Sequence, residues 1–476
     1  MAGSDSSKLY EVLKIQRDSY RQDGLPDPKT RMERLHRLSN MLIDNQDKIV
    51  DAERRDFKEK SPTLIRLAEI MGTVSAIRYT ESKVEEWMQP VPLELSSEYE
   101  SLGARAQIVH QPKGVVGVVA PWNGPIILSC MPLAGIIGAG NRAMIKPSEL
   151  APHSAALLET MIKSSFDESE VAVIQGGIEV AQEFTGLPFD HLLYTGSSRV
   201  AKLVMAAAAE NLVPVTLELG GKCPVIIGAD ANVMLAAERL AYGKLIHAGQ
   251  VCVSPDYLFI HEAIAEDFVK SLTQAVVRQF PSVCDNTDYS PMLNSAHFAR
   301  LQALVSDAER KGAEVVCINP RNQPIDPESS LKFPLHLLLN VSDDMNVMQE
   351  EIFGPILPIM TYGRLSEAID YINSKPNPLS AYYFGSDLEE RNSICGEVTT
   401  GSIVFDDVLC QIFHEQIPFG GIGNSGMGRY RGREGFTTFS NQVSVLLQTD
   451  KDEVLKGLRP PYTAELQAFI DQQISC

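Results

Sequence analysis

Two neighbouring pieces decide the reading: PVTLELGGK (Pro214–Lys222) and HAGQVCVSPDY (His247–Tyr257). In the first, an acid, Glu218, stands between two leucines just ahead of the paired glycines Gly220 and Gly221. In the second, Cys252 follows a Gly-Gln-Val run. Working outward, the first piece closes one series of strands and helices, and CPVIIGAD (223–230) opens another.

The first series begins at VVGVVAP (115–121) and continues through the apolar helix candidate 125–140 and the strand AMIKP (143–147). It runs on through HSAALLETMIKSS (153–165), VAVIQGG (171–177), IEVAQEFTG (178–186), HLLYTGS (191–197) and the alanine-rich helix 198–212. The second series takes in the helix 232–249, the strand 257–262, helices over 263–279 and 294–311, and the strand AEVVCI (313–318). ILPIMTY (356–362), SAYYFGS (380–386) and TGSIVFDD (400–407) read as further strands. Strand–helix alternation with short connections is what a parallel, doubly wound sheet requires. Strands buried on both faces are apolar throughout, as these are. The fold class expected is therefore α/β, with two doubly wound units divided near residue 220.

Outside these units, residues 8–60 and 62–90 place apolar residues at three- and four-residue spacing and read as helices. The stretch 91–112 alternates weakly between turn residues, as a hairpin does. Residues 319–335, rich in Pro, Asn and Ser, read as an exposed loop, 418–435 as a glycine-rich loop, and SNQVSVLLQ (440–448) as a late strand.

Bulk properties narrow the function. The 476 residues carry a formal charge of −19, the opposite of the basic footprint that nucleic acid demands. The first twenty residues have no apolar core of signal-peptide length, and the most apolar window, 125–140, is short and broken by Pro132 and glycines. No membrane contact and a cytoplasmic location are expected. The eight cysteines show no C-x-x-C spacing and no zinc-like pairing with the nine histidines, so no metal is expected.

Several residues could carry chemistry. A thiolate attacks carbonyls well, but a free thiol is mostly protonated at neutral pH, so a nucleophilic Cys252 needs a nearby base or positive potential. Taken alone, a buried structural cysteine is the plainer reading. Glu218 is the candidate base, against an edge-strand acid facing solvent. Asn123 follows the strand 115–120, where open α/β sheets bind ligands, and its amide could donate to an oxyanion; a turn asparagine is the alternative. Lys146 and Glu149 also follow a strand and could hold ribose hydroxyls, against a helix cap by Ser148. Gly196 and Ser197 open the alanine-rich helix, whose free amides attract phosphate, although the G-x-G-x-x-G fingerprint is absent. Glu351 and Phe353 combine an acid and a ring beside a Gly-Pro turn.

Together and in this order, PWN (121–123), KPSE (146–149), TGS (195–197), LELGGK (217–222), GQVC (249–252), EEIFGP (350–355) and PFGGIGNSGMG (418–428) resemble the aldehyde dehydrogenases. The resemblance spans roughly residues 110 to 440. GQVCVSPDY and GREGFTTFS bring it nearest the class-3-like branch and the coniferyl aldehyde dehydrogenases. It implies the aldehyde-dehydrogenase-like fold: an NAD-binding domain (1–93 and 113–220), a catalytic domain (221–432) and a small β oligomerisation arm (94–112 and 441–450). It implies Cys252 as nucleophile, Glu218 as general base, and Asn123 with the Cys252 N–H as oxyanion hole. Lys146 and Glu149 would hold the adenine ribose, Gly196 and Ser197 the pyrophosphate, and Glu351 the nicotinamide ribose. Phe353 would pack near the nicotinamide and Trp122 would line the cofactor cleft.

The function implied is oxidation of an aromatic, coniferyl-type or a medium-chain aliphatic aldehyde to its acid through a thiohemiacetal and a thioester. NAD would be the cofactor, with NADP as the alternative, and the partner a second copy in a homodimer. Two rivals are a CoA-acylating enzyme, which Glu218 argues against, and a non-catalytic relative, which an intact Cys252, Glu218 and Asn123 argue against. This chain departs from the commoner family pattern at Ala201, at Asp406, Asp407 and Cys410, and at Pro334-Leu335-His336.

Overall fold

The computed structural model describes residues 2–325, 330–452 and 456–475. Its sixteen described strands are β1 (Val91–Leu93), β2 (Arg105–Pro112), β3 (Val115–Val119), β4 (Arg142–Lys146), β5 (Val171–Val173), β6 (His191–Gly196), β7 (Val215–Leu219) and β8 (Cys223–Ile227). They continue as β9 (Pro255–His261), β10 (Glu314–Ile318), β11 (Leu335–Leu339), β12 (Ile356–Tyr362), β13 (Ser380–Phe384), β14 (Ser402–Phe405), β15 (Gly426–Met427) and β16 (Ser440–Leu447).

Two large sheets carry the two alternating series. The first has the order β15-β7-β6-β3-β4-β5 and the second β10-β11-β12-β9-β8-β13-β14. All neighbours are parallel except β15 on β7 and β10 on β11. In the first sheet the chain winds outward from β3 through β4 to β5, then returns to lay β6 on the other side of β3. The gap between β3 and β6 is thus a topological switch point, the place where such sheets leave a crevice at their carboxyl ends. A third, antiparallel sheet joins β1, β2 and β16; the β2–β16 pairing runs unbroken from Ser440 against Pro112 to Leu447 against Arg105.

β7 passes into β8 through only Gly220, Gly221 and Lys222. The carboxyl end of one sheet therefore abuts the amino end of the other, and the loop before β9 closes over the same junction. This places Glu218 and Cys252 on facing elements.

Local departures have visible causes. The charged segment 30–57 is two helices, Pro28–Asp44 and Gln46–Asp56, because the Asn45 amide donates to the Met41 carbonyl at 2.8 Å and ends the first. The helix after KPSE begins at Pro152, so Ser148 does not cap it. The cap comes instead from Asp56, which accepts from the His153 and Ser154 amides at 3.0 and 2.8 Å. The 319–335 segment is not wholly an exposed loop: Leu331, Lys332 and Phe333 are buried, and Leu335 starts β11. Residues 326–329 of that reading lie outside the described residues. Among the described residues no helix is long and apolar enough to cross a membrane.

Candidate active site

Glu218 is the penultimate residue of β7. Side chains alternate across a strand, so Leu217 and Leu219 turn into the core between sheet and helices, and Glu218 turns the other way. Thr195 of β6 pairs with it on one side and Gly426 of β15 on the other. Only 2% of its surface is exposed, and neither carboxyl oxygen has a hydrogen-bond partner in the protein. The solvent-facing edge acid is thereby excluded. Burial raises its pKa to about 8, opposed by the charges of Arg431 and Arg429.

Cys252 rides on a strained loop. The helix Val233–Leu245 is followed, past Ile246, by three successive left-handed residues, His247, Ala248 and Gly249, at φ of 50°, 52° and 74°. Such backbone costs on the order of 1–3 kcal/mol per non-glycine residue, so the surroundings must hold it in place. Gln250 does much of this: its amide donates to the His247 and Pro291 carbonyls at 3.0 Å each and accepts from the Leu293 N–H at 3.0 Å. Gly249 must be glycine, since a Cβ there would stand 2.7 Å from the Gly354 carbonyl. Cys252 itself is half-buried, and its carbonyl faces the Cys223 thiol at 3.5 Å. Burial, then the carboxylates Glu218 and Glu351, push its thiol up to about 12.

Asn123 leaves the end of β3 and donates through Nδ2 to the Gln250 carbonyl at 3.0 Å. It is therefore more than a turn residue, because it ties the first sheet to the cysteine loop. Trp122, beside it, meets Phe353 and His297 edge-on, with ring centroids 5.5 and 5.2 Å apart.

Asn123, Thr195, Glu218 and Cys252 line one cavity of about 110 Å³. Its other walls are mainly apolar, from Leu128, Ile246, Leu409, Ile412, Phe413 and Phe419. A shallower hollow of about 660 Å³ lies beside β9 and β12. Its charged side chains, Glu266 and Lys270, pair with each other at 2.6 Å, so it offers no comparable chemistry.

The remaining candidates stand around the same junction. Lys146, at the end of β4, is buried, donates to the Pro147 carbonyl at 2.7 Å and approaches Glu149 at 3.5 Å. Ser197 caps the helix Ser198–Ala209, its hydroxyl accepting from Val200 N–H at 3.4 Å. Gly196 leaves room for the Tyr194 hydroxyl, which explains the glycine without a ligand. The Glu351 carboxyl lies hard against Gly220, where any Cβ would collide with it. Burial, and Asp256 after it, raise its pKa to about 8. Phe353 holds a left-handed φ of 48°. Lys222 anchors this loop, donating to the Val347 and Glu350 carbonyls at 2.8 and 3.1 Å and pairing with Asp256.

Of the departures, Ala201 is buried in the core of the first unit. Asp406 pairs with Arg391 and does not line the cavity, nor do Asp407 and Cys410; their neighbours Leu409, Ile412 and Phe413 do. Sequence reasoning gave no role to Gln250, Lys222, Lys60, Glu69 or Arg431. Gln250 and Lys222 sit inside quoted motifs and could have been flagged. The other three come from distant segments with no local signal.

Comparison with known proteins identifies the family. The model of the aldehyde dehydrogenase family matches residues 5–445. A protein of Caulobacter vibrioides named probable coniferyl aldehyde dehydrogenase is 43% identical over 99% of this chain and 98% of its own. The coniferyl aldehyde dehydrogenase of a Pseudomonas species is 41% identical over 99% of this chain and 97% of its own. The substrate-bound state of AldH from Staphylococcus aureus superposes with a TM-score of 0.89 at 34% identity, covering 97% of this chain and 98% of that one.

Proposed function

The chain belongs to the aldehyde dehydrogenase family, and from that premise we propose which of its residues oxidise the aldehyde and how. The carrying observation is that Cys252 and Glu218, from separate α/β units, face one apolar cavity with the Asn123 amide beside them.

Burial keeps Cys252 a thiol, so its proton must pass to solvent before attack. The thiolate adds to the aldehyde carbon, giving a thiohemiacetal oxyanion. Asn123 uses one N–H on Gln250 and has a second to offer that oxygen, together with the Cys252 backbone N–H. Collapse leaves a thioester on Cys252. Glu218 then takes a proton from the water that attacks the thioester, and the carboxylate departs as the thiol reforms. When bound, NAD(P) accepts the hydride that leaves the substrate carbon.

The crevice suits a dinucleotide. Buried Lys146 with Glu149 stands at the end of β4, the N-terminus of the helix Ser198–Ala209 follows Ser197, and Gly220 admits the Glu351 carboxyl. Lys146 and Glu149 would hold the adenine ribose, Gly196 and Ser197 the pyrophosphate, and Glu351 the nicotinamide ribose, with Phe353 and Trp122 against the ring side. NAD is the preferred cofactor, because the Glu149 carboxylate would repel a 2′-phosphate; a clear rate advantage with NADP at equal concentration would refute this.

The substrate class is an aromatic, coniferyl-type aldehyde, on the strength of the apolar cavity walls and the two coniferyl aldehyde dehydrogenases. The first sheet with its helices would be the cofactor domain and the second the catalytic domain. The β1-β2-β16 sheet, with Leu93, Leu446 and Leu447 exposed, would be the arm of a cytoplasmic homodimer. NADH formation across aromatic and aliphatic aldehydes tests the assignment, with Cys252→Ala as control. The expected result is turnover favouring aromatic propenals and none in the variant; full activity in Cys252→Ala would refute it.

A further inference from the structure

Three charged side chains of the cavity, Lys60, Glu69 and Arg431, have no part in the mechanism above. Arg431 lines it with Cys252 and Glu218, and 8% of its surface is exposed. Its backbone is held at φ 94°, a conformation that side-chain-bearing residues rarely adopt. The following Gly432 packs directly on the Glu415 carbonyl, which fixes the turn. The guanidinium lies over the Phe419 ring at 4.5 Å and donates Nη1 to the Ile412 carbonyl at 2.7 Å. Its Nε is buried without a partner, and among the described residues none of the ion pairs involves it. A buried charge is ordinarily paired, because desolvation costs several kcal/mol. Here a strained backbone delivers an unpaired cation to the wall that carries the reacting groups.

The other charges around this wall leave it with that task. Glu218 comes from β7 and Glu351 from the loop before β12, both acids. Lys60 also lines the cavity, but it is held by Glu53 at 2.8 Å and Glu69 at 3.4 Å. Burial holds His247 neutral. Tyr430 adjoins Arg431, and Arg429 acts on Glu218 from the same loop. Glu415 is the remaining acid on which Arg431 acts.

We propose that Arg431 is the charge-compensating residue of this site, its guanidinium offsetting the negative charge that passes between Cys252, Glu218 and the departing carboxylate. The proposal rests on the roles given above to Cys252 and Glu218.

Arg431→Met keeps the length of the stem and removes the charge; Arg431→Lys keeps a charge. In the full-length enzyme, the rate of Cys252 alkylation by iodoacetamide is followed from pH 7 to 10, with the label mapped by mass spectrometry. Each unit by which the thiol's pKa rises costs about tenfold in rate below it. The expected result is alkylation slowed about tenfold or more in Arg431→Met across this range, restored mostly by Arg431→Lys, with kcat following the same order. Superimposable profiles for wild type and Arg431→Met would overturn the proposal, whatever the variant's melting temperature. So would a lysine variant no faster than the methionine one. Failure of the underlying reading shows separately, as aldehyde turnover in Cys252→Ala.

Discussion

The side-chain amide of Asn123 donates to the main-chain oxygen of Gln250 at 3.0 Å, reaching from the end of β3 to the loop that carries Cys252 two residues later. The donor proposed for the oxyanion is thereby indexed to the nucleophile across the junction of the two sheets. Asn123→Ala should lower kcat by about 10²–10³, the cost of one lost oxyanion donor. The KM for the aldehyde should change far less, because the interaction is made in the transition state. Steady-state kinetics checks this; a loss confined to KM would contradict it.

Glu218 gives a prediction with a defined sign. Its folded-state pKa is about 8, against an ordinary 4.5, so between these values the folded protein holds a proton that the unfolded chain has released. Stability from this group therefore falls as pH rises through that window. Glu218→Gln cannot ionise, and relative to wild type it should gain on the order of a few kcal/mol between pH 5 and pH 8. Urea unfolding at the two pH values measures the change in the gap. A gap that does not move would mean that the acid is not perturbed by burial. In the wild type, the step that needs the base should quicken as pH rises toward 8.

A second buried cluster contributes Lys60 and Glu69 to the cavity wall. Lys60 donates to Glu53 at 2.8 Å and approaches Glu69 at 3.4 Å, all three almost wholly buried. The second Glu69 oxygen accepts from the Ile126 and Ile127 amides at 3.2 and 2.9 Å, where the helix after Asn123 begins. Burial works against the ammonium, but Glu53 and Glu69 outweigh it and raise its pKa. Lys60→Met would leave two buried acids uncompensated and should cost about 3–5 kcal/mol of stability at pH 7. Denaturant unfolding checks it; a loss below about 1 kcal/mol would show the cluster to be dispensable.

Most of the two sheets was legible because strands buried on both faces are apolar runs, bounded here by turn residues. β11 was not, because Leu335–Leu339 follows a Pro- and Ser-rich segment and contains His336, whose ring lies 2.8 Å from the Pro334 carbonyl. It becomes a strand because β10 and β12 pair with it on both sides. Glu218 and Cys252 could be singled out by type and setting. What keeps Glu218 off the sheet edge is the two-residue strand β15, some two hundred positions away, and no local pattern announces it. The Asp56 cap on the helix at Pro152 and the placement of Arg431 are long-range in the same way.

The central claim is that Cys252 carries the acyl group and Glu218 releases it. Intact-mass measurement of Glu218→Gln, mixed with NAD and coniferaldehyde, tests both halves at once. The account predicts one acyl adduct per subunit, mapped to Cys252, accompanied by a single burst of NADH and negligible turnover. Full turnover without an adduct, or an adduct that persists in Glu218→Gln combined with Cys252→Ala, would contradict it.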